Sequence, residues 1–203
     1  MYPSYEEYCR LKKAGLRSKM NQAADDFVTE FCQNPDIDFI TTLCASSDHK
    51  INHRIWRGVV FPFVKQEMEK NPKAIKCLIQ TIQNLYSDRT AHTELGWVTE
   101  DQLINKYLTF YPADEWANAR KRDQLSKWLA HTIHEWPRGV LYDMNGATLE
   151  QCDEIIFAVK ELRAIDNEKR YEELCSDVEN KTNLYRERLA NINCTGAWPL
   201  GDL

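Results

Sequence analysis

The sequence predicts an all-α protein, a compact bundle of about seven to eight helices in a single domain over residues 1–203, with a possible subdivision near residues 87–98. Apolar side chains recur at intervals of three and four residues along most of the chain, which is the helical period. Three of the Ser/Thr-x-x-Glu/Gln segments, those that begin at Ser4, Thr99 and Thr148, are typical of helix starts. The chain has only seven glycines and seven prolines, and it shows no alternating segment of strand length.

The first quarter of the chain predicts two helices. Ser4 and Glu7 form a capping-box pattern, in which each side chain binds a backbone N–H that the helix start leaves free. Apolar residues then keep a helical spacing, so we expect a helix from about residue 5 to residue 32, with a break at Gly15. A short helix is predicted over residues 36–45.

The second quarter carries the strongest apolar stripes. Residues 52–69 predict a helix, but Pro62 lies inside this segment and removes one backbone donor, so we expect a kink or two helices that meet there. The Asn-Pro pair at 71–72 is typical of a capped helix start. The helix that follows is predicted to run to Tyr86, and residues 87–98 are interpreted as a polar connection.

The second half of the chain repeats the same signals. Thr99 with Gln102 and Thr148 with Gln151 are further capping boxes. Pro137 is expected to end the helix that lies between them. The last helix carries a regular seam that is typical of packing against one neighbouring helix; the seam consists of Tyr171, Cys175, Val178, Thr182, Tyr185 and Leu189.

Charge and cysteine content narrow the classes of function. The chain has 31 acidic and 26 basic residues and a net charge of −5. This balance disfavours nucleic acid, because affinity for phosphates requires clustered cations, and it favours a basic protein partner. The only tight basic run lies at residues 120–122. No signal peptide or membrane-spanning segment is seen, and seven cysteines without a Cys-x-x-Cys pair indicate a reducing, cytoplasmic compartment.

The residue patterns for catalysis and metal binding are weak. His131, His134 and Glu135 lie close in sequence, but they match neither His-Glu-x-x-His nor His-x-x-Glu-His. On a helix with an apolar stripe through Leu129, the two imidazoles would point in different directions. Cys152 could be paired with His134 as a nucleophile and base, but Cys152 lies on an apolar stripe that predicts burial. We therefore expect no catalytic residue, no metal and no cofactor.

The segment HEWPRGVLYDMNGATLEQCDE at residues 134–154 contains a loop of about ten residues between two helices. Helix connections are usually shorter, which favours a role in contact with a partner. The predicted partner-binding residues are Glu135, Arg138, Tyr142 and Asp143. A plain connection remains the alternative, in which Tyr142 folds back to seal the core. Six tryptophans are many for this length; Trp97, Trp116 and Trp198 fit no core stripe, and exposed aromatic residues favour a protein interface.

Two segments carry a resemblance. NHRIWRGVVFPFVKQEMEKNPKAIKCLIQTIQNLY and HEWPRGVLYDMNGATLEQCDEI resemble small bacterial helical proteins, some of which are similar to immunity proteins of contact-dependent inhibition and other polymorphic toxin systems. The resemblance covers residues 50–165 and rests on structural positions, so it assigns no functional residue. It implies a cytoplasmic protein that binds the toxin domain of a partner, often a nuclease, and blocks it.

The sequence therefore predicts a non-catalytic protein-binding module, with an immunity protein as its specific form. Two other classes stay open at this point. One is a small helical enzyme or regulatory protein whose ligand lies between helices, and the other is a factor associated with nucleic acid. Metal analysis and a salt-dependent titration with nucleic acid distinguish these classes.

Overall fold

The described part of the chain is entirely helical. A computed structural model describes residues 2–46, 50–142 and 146–195, with side chains given up to residue 191. These residues form eleven helices and no strand, so the all-α prediction is confirmed and the predicted count of seven to eight is too low. None of the described helices is both long and apolar enough to cross a membrane.

The chain divides into two compact units. Unit 1 is Met1–Pro112 and unit 2 is Ala113–Leu203. The boundary lies after the 87–98 segment at which a subdivision was predicted, and the single-domain organisation stays a prediction. The helices of unit 1 are α1 (Pro3–Lys13), α2 (Arg17–Gln33), α3 (Ile37–Ala45), α4 (His53–Ile55, Trp56–Val60 and Phe61–Glu67 in succession), α5 (Pro72–Gln80), α6 (Ile82–Ser87), α7 (Arg89–Glu94) and α8 (Glu100–Phe110).

The break at Gly15 is confirmed, but the capping box at Ser4 is wrong. Helix α1 begins at Pro3, and its N-cap residue makes no side-chain hydrogen bond. The Ser4 hydroxyl and backbone N–H instead donate to the carboxylate of Glu30 on α2. A bond between residues that are far apart in sequence therefore replaces the local cap, and it joins α1 to α2.

Helix α4 contains the irregularity that Pro62 predicts. Residues Trp56–Val60 form a π-helical turn, in which the N–H of Phe61 donates to the carbonyl of Trp56, five residues earlier. The turn lies directly before Pro62, which has no N–H to donate. Gly58 lies inside the turn, and a Cβ there would approach the Val28 side chain to 2.5 Å, so the backbone of α4 packs closely against α2.

The long helix predicted from residue 72 to Tyr86 is interrupted at Thr81. The Asn71 cap is confirmed, since its side chain accepts from Lys73 N at 3.0 Å. Thr81, however, leaves the helical conformation at φ −118° and ψ 27°. Its hydroxyl donates to the Cys77 carbonyl at 2.8 Å and accepts from the indole N–H of Trp56 at 3.0 Å. The break thus provides a partner for a buried indole N–H.

The interpretation of residues 87–98 as a mere connection is wrong, because α7 forms there. Asp88 caps this helix by accepting from Ala91 N at 2.9 Å. Only Ala91 is buried within α7, so the helix carries no apolar stripe. The capping box at Thr99 is confirmed and starts α8.

The described residues of unit 2 form three α-helices around one core. These are α9 (Glu115–Thr132), α10 (Leu149–Ile165) and α11 (Glu172–Thr195), and a 3-10 turn lies at Trp136–Arg138. Helix α9 therefore ends before the predicted stop at Pro137, whereas the capping box at Thr148 is confirmed. The predicted seam of α11 is buried through its central four residues. Residues of α9, α10, α11 and the connection between α9 and α10 form the core: Leu129, Leu141, Ala147, Cys152, Ile155, Ala158, Val159, Leu162, Cys175, Val178 and Tyr185.

The cysteines follow the expected pattern in part. Four of them are buried, Cys9 is half-buried and Cys32 is exposed, and these six described cysteines are free thiols. Burial raises the pKa of the Cys152 thiol, and Cys152 lies in the core of unit 2. The prediction of a core role for Cys152 is therefore confirmed.

Candidate protein-binding surfaces

The predicted recognition loop connects α9 and α10 at one end of unit 2. Two glycines in the left-handed region, Gly139 at φ 74° and Gly146 at φ 79°, turn the chain on either side of the loop. A Cβ at Gly146 would collide with the hydroxyl of Tyr185 on α11. Gly146 therefore lies directly against the side chain of Tyr185, within α11.

Glu135 and Arg138 lie beside each other in this loop. Arg138 Nη1 lies 2.9 Å from Glu135 Oε2, and His134 Nε2 lies 2.9 Å from Glu135 Oε1. The Glu135 side chain is 17% exposed and that of Arg138 is 69% exposed. The Glu135 carboxylate is thus paired with His134 and Arg138, whereas most of the Arg138 side chain is exposed to solvent.

Tyr142 folds back toward the core, as the alternative interpretation of this loop expects. Its φ of 82° lies in the left-handed region, and its N–H donates to the carbonyl of Thr132 at 2.7 Å. Its ring meets Trp128 edge to face at 6.3 Å and packs, half-buried, against the core of unit 2. Asp143, the fourth predicted contact, lies outside the described residues. The loop as a partner site stays a prediction.

The two histidines come together, contrary to the helical-wheel expectation. Their rings stack with centroids 4.5 Å apart and an interplanar angle of 12°. His134 lies after the end of α9, and its Nδ1–H donates to the carbonyl of His131 at 2.7 Å. The expectation was wrong because it continued an ideal helix past Thr132. Among the described residues there is no group of three or more side chains arranged to hold a metal ion.

The solvent face of α10 carries an exposed aromatic side chain that the sequence analysis missed. Phe157 is 62% exposed, the largest exposed fraction among the large apolar side chains described. At 100° per residue it lies opposite the buried stripe that contains Ile155 and Val159. A helical wheel of α10 therefore places Phe157 on the solvent face of this helix. Leu149, at the start of the same helix, is 42% exposed.

Carboxylates surround Phe157. By helical geometry, four acidic side chains and one lysine lie within about 60° of it around α10; they are Glu150, Asp153, Glu154, Lys160 and Glu161. Asp153 pairs with Arg186 at 2.9 Å and Glu161 pairs with Lys121 at 2.8 Å. Hydrogen bonds from its own backbone N–H and from the Thr148 hydroxyl lower the pKa of Glu150.

The net charge is confined to one unit. Residues 1–112 contain 14 acidic and 14 basic side chains, whereas residues 113–203 contain 17 acidic and 12 basic ones. Unit 1 is therefore neutral, and unit 2 carries the whole net charge of −5.

Comparison of the chain with models of protein families, with curated proteins and with solved structures found no match. The resemblance to bacterial immunity proteins thus stays a prediction from the sequence segments that carry it.

Proposed function

We propose that the chain is a non-catalytic protein-binding module, an immunity protein that binds and neutralises a basic toxin domain, with a nuclease as the expected toxin class. The observation that carries the proposal is the α10 face, on which Phe157 is 62% exposed within a group of carboxylates. A large aromatic side chain in water has an unfavourable hydration that a partner surface would relieve.

The charge around Phe157 selects the kind of partner. A nuclease binds a polyanion and therefore presents lysines and arginines around its cleft. The net charge of −5 on unit 2 is complementary to such a surface, and complementarity of this kind speeds association and makes it sensitive to salt. Phe157 would then supply the apolar anchor at the centre of the interface, where binding energy is concentrated.

The test uses co-expression of the chain with the toxin encoded beside it, followed by calorimetry on the purified pair. We expect wild-type protein to protect the cells. Phe157→Ala should weaken the complex by about 2 kcal/mol, or about thirtyfold, mainly through faster dissociation. Leu184→Ala is the matched control, because Leu184 is an apolar side chain of the same unit that is 49% exposed on α11.

Two results would contradict parts of this proposal separately. Cell death in the presence of the wild-type chain rejects neutralisation. Protection together with unchanged affinity of Phe157→Ala keeps neutralisation but rejects the α10 face. In that case the predicted loop contacts Glu135, Arg138 and Tyr142 are the next residues to substitute in the same assay.

A further inference from the structure

Two buried thiols meet in unit 1, between α3 and α5. Cys44 lies on α3 and is fully buried, and Cys77 lies on α5 and is 1% exposed. The two side chains are hydrogen-bonded to each other, and this bond, together with burial, raises the pKa of the Cys44 thiol. A hydrogen bond between two thiols brings their sulfur atoms close together, which is the first requirement for a covalent bond between them.

Cys77 also lies on the wall of a cavity between the same two helices. The cavity has a volume of about 320 Å³, and its wall includes Thr41 and Ala45 of α3 and Lys73 of α5. Ala45 and Lys73 are exposed, so the cavity is open to solvent. A molecule of hydrogen peroxide is little larger than one of water, and a cavity of this size therefore admits it.

The buried cysteines of unit 2 lack this combination. Cys152 on α10 and Cys175 on α11 both lie in the core of that unit. Burial raises the pKa of each thiol, but neither thiol contributes to the shift of the other. Among the four buried cysteines of the described residues, contact with a second thiol and access from a cavity occur together at the pair in unit 1.

We propose that Cys44 and Cys77 are a site of reversible oxidation, at which hydrogen peroxide converts the two thiols into a disulfide between α3 and α5. The sulfur of Cys77, on the cavity wall, attacks the peroxide. The O–O bond breaks, one oxygen leaves as water with the Cys77 proton, and a sulfenic acid remains. The sulfur of Cys44 then attacks the sulfenic sulfur, the S–O bond breaks, and the hydroxyl leaves as a second water with the Cys44 proton. The two thiols lose two electrons, which the peroxide accepts.

The contact between the thiols determines the product, and burial determines the rate. A thiol in contact with a sulfenic acid condenses with it before further peroxide can oxidise it to sulfinic acid. The reaction is slow, because the thiolate is the nucleophile and burial in apolar surroundings disfavours it. In a reducing compartment the pair stays a dithiol, and the oxidised form returns to it by exchange with another thiol. This site lies in unit 1 and is independent of the α10 face of unit 2.

The experiment treats the full chain with hydrogen peroxide, blocks the remaining thiols with N-ethylmaleimide in denaturant and maps the peptides by mass spectrometry without reduction. A protease that cleaves at aspartate is used, because Asp36 and Asp38 separate Cys32 from Cys44. We expect the peptides of Cys44 and Cys77 to be joined, with the loss of both thiol hydrogens, and dithiothreitol to separate them. The yield should not depend on protein concentration, because the bond forms within one chain.

Variants test the order of the two steps. In Cys44→Ser, the sulfenic acid at Cys77 has no second thiol beside it, so Cys77 should go on to sulfinic acid. In Cys77→Ser, which keeps the size of the side chain, Cys44 should stay reduced at the same dose of peroxide. Cys152→Ser is the matched control, because it changes a buried thiol of unit 2 and should leave the yield of the disulfide in unit 1 unchanged. Far-UV circular dichroism checks that each variant keeps its helical content.

The exposed thiol of Cys32 measures the dose of peroxide within each sample. The proposal is overturned if Cys44 and Cys77 stay unlinked at a dose that oxidises Cys32, or if Cys152 and Cys175 become joined as readily. A Cys77 that stays reduced in Cys44→Ser, or that forms sulfinic acid without the disulfide in the wild-type chain, also overturns it. Phe157→Ala should form the disulfide like wild type, so this experiment and the toxin experiment report on different parts of the chain.

Discussion

Trp97 and Tyr142 are two aromatic residues in the same unfavourable backbone conformation, with opposite surroundings. Both have positive φ angles, 60° and 82°. The ring of Tyr142 packs against Trp128 and the core of unit 2, so contacts within the chain offset its backbone strain. The ring of Trp97 is 53% exposed, and its centroid lies 4.7 Å from that of the His92 ring. Strain that is not offset by burial is the stronger indication of a binding role.

Substitution of the glycines near these two residues should give the largest difference in the free energy of unfolding. Gly146→Ala, in the loop of Tyr142, should lower the free energy of unfolding by about 3 kcal/mol, because it adds a collision with Tyr185 to the left-handed strain. Gly96→Ala, next to Trp97, should cost about 1 kcal/mol, since φ is 70° but no atom lies within 4 Å of the new Cβ.

Urea denaturation of the two variants measures this difference. Equal losses would show that the loop of unit 2 is no more tightly packed than the α7–α8 connection, and would remove the basis of the comparison.

Replacing each aromatic residue with glycine isolates the contribution of the ring. Tyr142→Gly should lower the free energy of unfolding by about 2 kcal/mol, because it removes a half-buried ring and an edge-to-face contact. Trp97→Gly should change it by less than about 0.5 kcal/mol, since relief of strain offsets the greater freedom of glycine in the unfolded chain.

The same denaturation experiment tests this pair, with helical content as the control for correct folding. A loss of 2 kcal/mol or more for Trp97→Gly would mean that the indole has a packing role, and the case for an exposed binding surface would then weaken.

The third and smallest effect concerns the ion pairs that hold α7. Burial would raise the pKa of Asp88, but the hydrogen bond from Ala91 N and the charges of Arg57 and His53 outweigh it and lower that pKa. A lowered pKa means that the stabilisation is present above the unfolded-state value of about 3.9 and is lost as pH falls through the folded-state value. Asp88→Asn should therefore cost about 0.5–1 kcal/mol at pH 7 and progressively less below pH 4 or so.

The measurement is the free energy of unfolding of both proteins between neutral pH and pH 3. Asp36→Asn provides the control, since Asp36 caps α3 by accepting from Asp38 N and Phe39 N of its own helix. A difference between wild type and Asp88→Asn that grows as pH falls would contradict the sign of the shift.

Signals that are complete within four residues of sequence predicted the structure well. The capping boxes at Thr99 and Thr148 are both formed, because each needs only a hydroxyl and an amide three positions apart. The cap predicted at Ser4 failed for the opposite reason. The Ser4 hydroxyl instead donates to the carboxylate of Glu30, 26 residues away. A local sequence pattern does not predict a hydrogen bond over that separation.

Contacts between residues far apart in sequence also explain why the sequence analysis did not predict helix α7 or the break at Thr81. Helix α7 has one buried residue, Ala91, and is held by ion pairs to α4, so a search for apolar periodicity passes over it. The break at Thr81 depends on the indole N–H of Trp56, 25 residues earlier. The candidate surfaces show the same limit. Phe157 could be found from a helical wheel, whereas the exposure of Trp97 and the packing of Tyr142 depend on the tertiary fold.

The π-helical turn at Trp56–Val60 has a consequence for how this chain tolerates a change of length. A π turn contains about one residue more than an α turn, so removing one residue inside it can restore ordinary α geometry. Elsewhere in a helix the loss of one residue rotates every later side chain by about 100° and moves the buried face away from its neighbour. This turn is therefore the place in α4 where a one-residue deletion leaves Phe63 and Val64, both buried, facing the same core.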